Sequence, residues 1–201
     1  MRLGLLGGTF DPVHLGHLIM AEACREACQL EEIWFIPTGK PPHKVTAEIT
    51  DSRKRIEMLE MALAGAREFK ISDREVKRSG TTYTVDTLTQ LKEEEPSRDL
   101  YFIIGADSLH DFPTWREPER IAELATILVV NRSGKIMPEV ATLPEKIRNS
   151  IQMVTIPDIG IASSDLRQRV GEGKSIRFQV PRSVDVYIKQ HDLYTASSET
   201  E

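Results

Sequence analysis

Two stretches of this chain, Leu100 to Ile104 and Thr126 to Val130, are apolar almost without a break, and each is only as long as a β-strand. A half-exposed strand alternates apolar with polar residues, so an unbroken run belongs to a strand covered on both faces, as in a parallel sheet. Leu3 to Leu6, Ile33 to Ile36 and Ile151 to Ile156 are further strand candidates, and a weaker extended segment runs around Phe69 to Val76. Helical patterns lie between them. One covers about Leu15 to Cys28, the next keeps Ile56, Leu59, Ala62 and Leu63 at helical spacing, and another covers about Val85 to Glu94. Near the end, Val184, Tyr187, Ile188 and His191 follow the i, i+3, i+4, i+7 rule, with Pro181 at a helix start. This alternation predicts an α/β fold: a Rossmann-like, doubly wound, mainly parallel sheet with helices on both faces.

The 201 residues suit one domain, read as 1–196, followed by a short polar tail at 197–201. A chain 40% hydrophobic and 28% charged is neither disordered nor collagen-like, and two cysteines cannot make a disulfide scaffold. The formal net charge of -5 sets up a field that repels polyanions, which argues against a nucleic-acid polymer as partner. Any anionic ligand must then be held by local groups. No apolar run approaches the roughly 20 residues that span a bilayer, and no signal-peptide core is visible. A cytoplasmic location with no membrane partner is therefore expected. Cys24 and Cys28 share a helix face and read as small buried or half-buried hydrophobes. Homo-oligomerisation stays open.

The richest stretch is Gly4 to His17, which begins as a strand and ends at a helix start. An open α/β sheet puts its ligand crevice at such a point. Gly7 and Gly8 let the backbone approach a bulky anion, and the free amides of a turn and a helix N-terminus can bind it. The glycine spacing is wrong for G-x-G-x-x-G and for a P-loop; Gly173-Lys174-Ser175 ends like a P-loop, but Gln168 stands where its first glycine is required. His14 and His17, three apart, face the same way on a helix, with Gly16 leaving room between them. Two imidazoles beside phosphate-binding amides can donate to charge developing on a phosphoryl group. A zinc site is the rival, and it lacks both the Glu of H-E-x-x-H and a third ligand.

Other segments fit an anion crevice. Ile161 to Arg167 reads as a helix start with Ser163 or Ser164 as N-cap, and hydroxyls, amides and a guanidinium on one first turn can hold polyphosphate. Pro41-Pro42-His43-Lys44 lies in a long loop whose prolines present the two polar side chains with reduced entropy loss. Thr84 is a plausible cap for the helix that follows Thr82 and Tyr83. Trp115 is either an ordinary amphipathic surface residue or a platform for a flat ring. Gly105 and Asp107 follow the strand at Leu100 to Ile104, where crevice-lining loops sit, and Asp107 could cap a short helix there. Arg132 holds a similar place after Val130.

The segment Gly8 to His17 resembles the G-x-F-D-P-x-H-x-G-H signature of the nucleotidyltransferase superfamily and matches every fixed position. Ile161 to Arg167 is similar to that superfamily's second motif, I-S-S-T-x-I-R, departing from it at Ala162, Ser164 and Leu166. Pro41 to Lys44 and Thr82 to Thr87 resemble the P-P-H-K and S-Y-T-x-D-T elements of the bacterial nicotinate-nucleotide adenylyltransferase family, with Thr82 in place of Ser. The likeness runs along nearly the whole chain. It implies transfer of AMP from ATP to nicotinate mononucleotide, giving nicotinate adenine dinucleotide and pyrophosphate in NAD biosynthesis.

For the site, the resemblance implies ATP contacts from Gly7, Gly8, Thr9, Phe10, His14 and His17. Gly105 and Asp107 join them from the strand end, as do Ser163, Ser164 and Arg167 from the second motif. His14, His17 and Arg167 carry the catalytic roles. The mononucleotide falls to Thr38, His43, Lys44 and Arg132, with Thr82 and Tyr83 offering backbone amides to the pyridine carboxylate and Trp115 stacking on the ring. Magnesium is expected to arrive with ATP, with no protein metal site. The amino-terminal signature alone also fits transfer to phosphopantetheine or to the amide mononucleotide, and a non-catalytic nucleotide sensor is the rival outside enzymes.

Overall fold

A computed structural model describes residues 1–39, 49–132 and 140–195, with Arg132 described by its backbone alone. His43, Lys44 and the tail at 197–201 lie outside the described residues. Six strands form one sheet: β1 (Arg2–Gly8), β2 (Glu32–Pro37), β3 (Phe69–Ile71), β4 (Asp99–Gly105), β5 (Thr126–Arg132) and β6 (Ile151–Ile156). All pairings are parallel, in the order β3-β2-β1-β4-β5-β6. This is the doubly wound order, and its direction reverses between β1 and β4. In register, Leu5 of β1 lies between Trp34 of β2 and Phe102 of β4.

The helices among the described residues are α1 (Leu15–Ala27), α2 (Ser52–Leu63), α3 (Arg74–Lys77), α4 (Thr84–Glu94), α5 (Ala106–Asp111), α6 (Pro118–Leu124), α7 (Glu145–Asn149), α8 (Ser163–Gly171) and α9 (Arg182–Gln190). Strand side chains alternate between two cores. Leu6, Ile103, Leu128 and Val130 pack with Ala21 and Cys24 of α1, Met58 and Leu59 of α2, and Val184 and Ile188 of α9. Leu3, Leu5, Phe102, Ile104, Ile127 and Val129 pack with Leu88 and Leu91 of α4 and Ile121 of α6. Both faces of the central strands are thus apolar, which is why β1, β4 and β5 read as unbroken runs. No helix among the described residues is long and apolar enough to cross a membrane.

Some local expectations fail for identifiable reasons. The extended segment around Phe69 to Val76 stops at Ile71, and Arg74 already opens α3. Only Phe69 to Ile71 pair with β2, and once Ser72 N–H has donated to Phe35 O the ladder ends and the polar Asp73-Arg74-Glu75 run turns helical. Pro181 does stand at a helix start, as the N-cap of α9. Helix α6 opens on Pro118, which is a start signal in the sequence.

Candidate active site

The turn from β1 to α1 sits at the reversal of strand order, on the carboxyl side of the sheet. Gly8 shows why the motif needs a glycine there: a Cβ would come within 3.0 Å of the Phe10 ring. Phe10 itself is buried and holds φ at 50°, a left-handed conformation that costs an aromatic residue strain. The same principle places Gly16, where a Cβ would lie 3.0 Å from His14 Nδ1; the His14 ring covers that part of α1. His14 is the extended N-cap of α1, so the first-turn amides of that helix open next to the turn.

The two histidines form one unit. Their rings stack at a centroid distance of 3.7 Å, and the His17 ring meets Phe10 edge-on at 5.0 Å. The backbone N–H of His14 donates to His17 Nδ1 at 3.2 Å. An Nδ1 that accepts cannot carry a proton, so the neutral His17 ring keeps its hydrogen on Nε2 as a donor. Burial, and then the neighbouring His14, hold the His17 pKa well below the ordinary histidine value. His17 is therefore a neutral Nε2–H donor at physiological pH.

Helix α8 is clamped onto the same turn. The Ser163 hydroxyl donates to Pro12 O at 2.9 Å, and Arg167 Nη1 donates to Asp11 O at 2.7 Å. These two bonds bring residues more than 150 positions apart in the chain together, so that the N-termini of α1 and α8 converge on one turn. Two converging positive helix ends favour an anion between them. The helix caps differ from those expected. Ala162 is the N-cap of α8, because the Ser163 hydroxyl is spent on the turn; the Ser164 hydroxyl stays exposed and donates to Asp165. The α4 cap is Tyr83, with Thr84 already helical, and that of α5 is Gly105, with Asp107 exposed one residue into the helix.

Across β1 and β4 lies an aromatic wall. A Cβ on Gly7 would touch the Phe102 ring at 3.9 Å, and Trp115 packs on that ring at 6.0 Å and on Phe112 at 5.2 Å. The next residue, Arg116, sits over the Tyr83 ring at 4.7 Å and pairs with Asp86 at 3.7 Å. Trp115 and the start of α4 thus belong to the same side of the crevice. Thr82 is buried, and its side chain bonds the buried Glu75, whose carboxyl also accepts from Thr87 at 2.8 Å. Burial pushes the Glu75 pKa up. At the end of β2, Thr38 N–H donates to Gly8 O at 2.9 Å, and the buried Thr38 Oγ1 has no hydrogen-bond partner among the described residues.

Arg55 and Tyr194, polar groups beneath the turn, escape a reading of the sequence, and Asp11 enters it only as a fixed position of the signature. The signal for Arg55 is a cation in the buried stripe of α2 with Met58, Leu59 and Leu63. Among the described residues, no group of three or more His, Cys, Asp or Glu side chains is placed to hold a metal ion.

A doubly wound sheet whose switch point carries two helix N-termini and a paired imidazole defines a nucleotide-binding α/β protein. A family model described as cytidylyltransferase-like matches residues 5–169. A Thermomicrobium roseum protein named "Probable nicotinate-nucleotide adenylyltransferase" is 49% identical over 196 residues, covering 96% of this chain and 91% of that one. A Thermus thermophilus protein of the same name is 42% identical, over 96% of this chain and all of its own length. The chain belongs to the cytidylyltransferase-like family and, within it, to the nicotinate-nucleotide adenylyltransferases. Its fold is similar to the Plasmodium falciparum nicotinic acid mononucleotide adenylyltransferase complexed with NaAD. The TM-score is 0.78 at 22% identity, covering 96% of this chain and 97% of that one.

Proposed function

We propose that this chain transfers AMP from ATP to nicotinate mononucleotide, giving nicotinate adenine dinucleotide and pyrophosphate. The observation that carries this reading is the convergence of the α1 and α8 N-termini on the turn that holds His17 as a neutral donor. The names of relatives at 42% to 49% identity agree with it. A phosphate oxygen of the mononucleotide attacks the α-phosphorus of ATP. The new P–O bond forms as the bond to the bridging oxygen breaks, and pyrophosphate leaves with the electron pair. Both reactants bring their own reactive groups, so the protein contributes orientation and charge stabilisation.

His17 Nε2–H donates to the charge developing on the transferred phosphoryl group, with His14 beside it. Arg167 and the first-turn amides of α8 hold the flanking phosphates, and the amides of Gly7 to Phe10 line the turn. Trp115 stacks on the pyridine ring. The amides opening α4, next to Thr82 and Tyr83, receive the carboxylate, and a positive helix end prefers that anion to a neutral carboxamide. Thr38 Oγ1, buried without a partner among the described residues, offers its hydroxyl to the mononucleotide. His43, Lys44, Arg132, Gly105, Asp107 and Ser164 keep the contacts the family resemblance implies. Magnesium enters as part of the MgATP substrate, held by phosphate oxygens and water. The chain acts in solution, in the cytoplasm.

The test offers ATP with nicotinate mononucleotide, the amide mononucleotide or phosphopantetheine, and measures pyrophosphate. The reading expects the nicotinate compound to have the highest kcat/KM. Preference for phosphopantetheine would overturn the acceptor assignment, and ATP binding with no release for any acceptor would make the chain a sensor.

A further inference from the structure

Arg55 is among the most buried large side chains of the molecule, 2% exposed, yet it sits in the apolar stripe of α2. All three of its nitrogens are used, and each reaches a different segment. Nη1 donates to Thr9 O at 2.7 Å, Nη2 to Thr38 O at 2.9 Å and Nε to Thr50 O at 3.0 Å. Thr9 belongs to the β1–α1 turn, Thr38 follows β2, and Thr50 precedes α2. The first two segments are also tied directly, through Thr38 N–H and Gly8 O.

Asp11, also 2% exposed, completes the arrangement. Its carboxylate accepts from Thr50 N–H at 3.1 Å and from the Tyr194 hydroxyl at 2.6 Å, while its backbone carbonyl takes Arg167. Burial works against the Arg55 charge, and Asp11 and Asp51 support it. Burying a guanidinium is costly, and a well-packed apolar side chain in the same stripe would serve stability as well or better. What an apolar side chain cannot do is hold three carbonyls of three segments in one plane. Lysine cannot do it either, because the ammonium lacks the rigid fork.

We infer that Arg55 is a positioning residue for adenylyl transfer: its guanidinium holds the ATP-side turn at Thr9 in register with the mononucleotide-side segment at Thr38 and with the chain entering α2 at Thr50. This rests on the function proposed above. Arg55 touches no reactant; it acts through the backbone that does. Its loss therefore misaligns two bound substrates rather than releasing either, and a displacement of about 1 Å can cost about 10²-fold in rate.

The experiment measures kcat and both KM values for the wild type, Arg55→Lys and Tyr194→Phe, each well below its own melting temperature. Arg55→Lys is expected to lower kcat by about 10- to 100-fold while each KM stays within about threefold. Tyr194→Phe, which removes one bond to Asp11, is expected to lose about three- to tenfold in kcat. In Arg55→Ala, added ethylguanidinium is expected to restore kcat saturably. A purely structural Arg55 predicts a lower melting temperature with unchanged kcat, and that result overturns the inference, as does a loss confined to KM. If Arg55→Lys does not fold, Tyr194→Phe decides, and an unchanged kcat there overturns it. A wild type that forms no dinucleotide overturns the proposed function and this inference together, whereas an active wild type with an unaffected Arg55→Lys overturns the inference alone.

Discussion

Replacing His17 with alanine removes one hydrogen-bond donor from the site, because the other ring nitrogen is already occupied by the backbone N–H of His14. Loss of a single donor to transition-state charge typically costs about 10²- to 10³-fold in kcat, or ~2.7–4 kcal/mol. The substitution also forfeits the stack on His14 and the edge contact with Phe10. Such aromatic pairs are worth about 0.5–1.5 kcal/mol each, so a fall of a few degrees in melting temperature accompanies the kinetic loss. Steady-state pyrophosphate release at saturating substrates separates the two effects when run well below the melting point. Glutamine at position 17 can place an N–H near the lost Nε2–H and should recover about tenfold of the rate. The pH profile adds a second reading. A donor held neutral by burial gives no loss of kcat as pH rises from 6 to 8. A His17→Ala variant within about threefold of wild-type kcat would refute the electrostatic role. A wild-type rate that falls as pH rises through 6.5 would show imidazolium to be the active form.

Three further outcomes follow from the same contacts. Trp115→Ala should raise the KM for the mononucleotide by about 5- to 160-fold, from the ~1–3 kcal/mol of a ring stack, and leave the KM for ATP nearly unchanged; equal effects on both would remove Trp115 from the acceptor side. The depressed His17 pKa means that the unfolded chain binds the extra proton first as pH drops below 6.5. Wild-type stability should then decline toward acid relative to His17→Gln, by up to about 1.4 kcal/mol per pH unit, in urea titrations at pH 5 to 7; parallel pH dependences would contradict it. Burial lifts the Cys24 thiol to about 12, so a thiol reagent at pH 8 should label it only after unfolding, and rapid labelling of the native chain would contradict its buried placement.

The fold was legible where its physics is local. Leu100 to Ile104 and Thr126 to Val130 are unbroken runs because both faces of β4 and β5 are covered. The edge strand β3 has three paired residues and little covering, so its end could not be separated from α3 by pattern alone. The site divides in the same way. Gly8, Phe10, His14, Gly16 and His17 lie within one turn of chain, and their chemistry can be read together. The Ser163 and Arg167 bonds to the turn repurpose side chains that a local reading assigns to capping. Arg55 and Tyr194 reach the turn from 46 and 183 residues away, and their partners are backbone carbonyls and a buried carboxylate that no spacing encodes. The net charge of -5 also proved a poor guide to the crevice, since two helix ends, a guanidinium and neutral donors gather there irrespective of the surface.

The proposed transfer is direct, between two substrates held in line, with no protein nucleophile. ATP made chiral at its α-phosphorus and incubated with nicotinate mononucleotide tests it. A dinucleotide whose phosphorus configuration is inverted, formed in equal amount with pyrophosphate, is expected. Retention of configuration, which requires two displacements through an adenylylated residue, would contradict it.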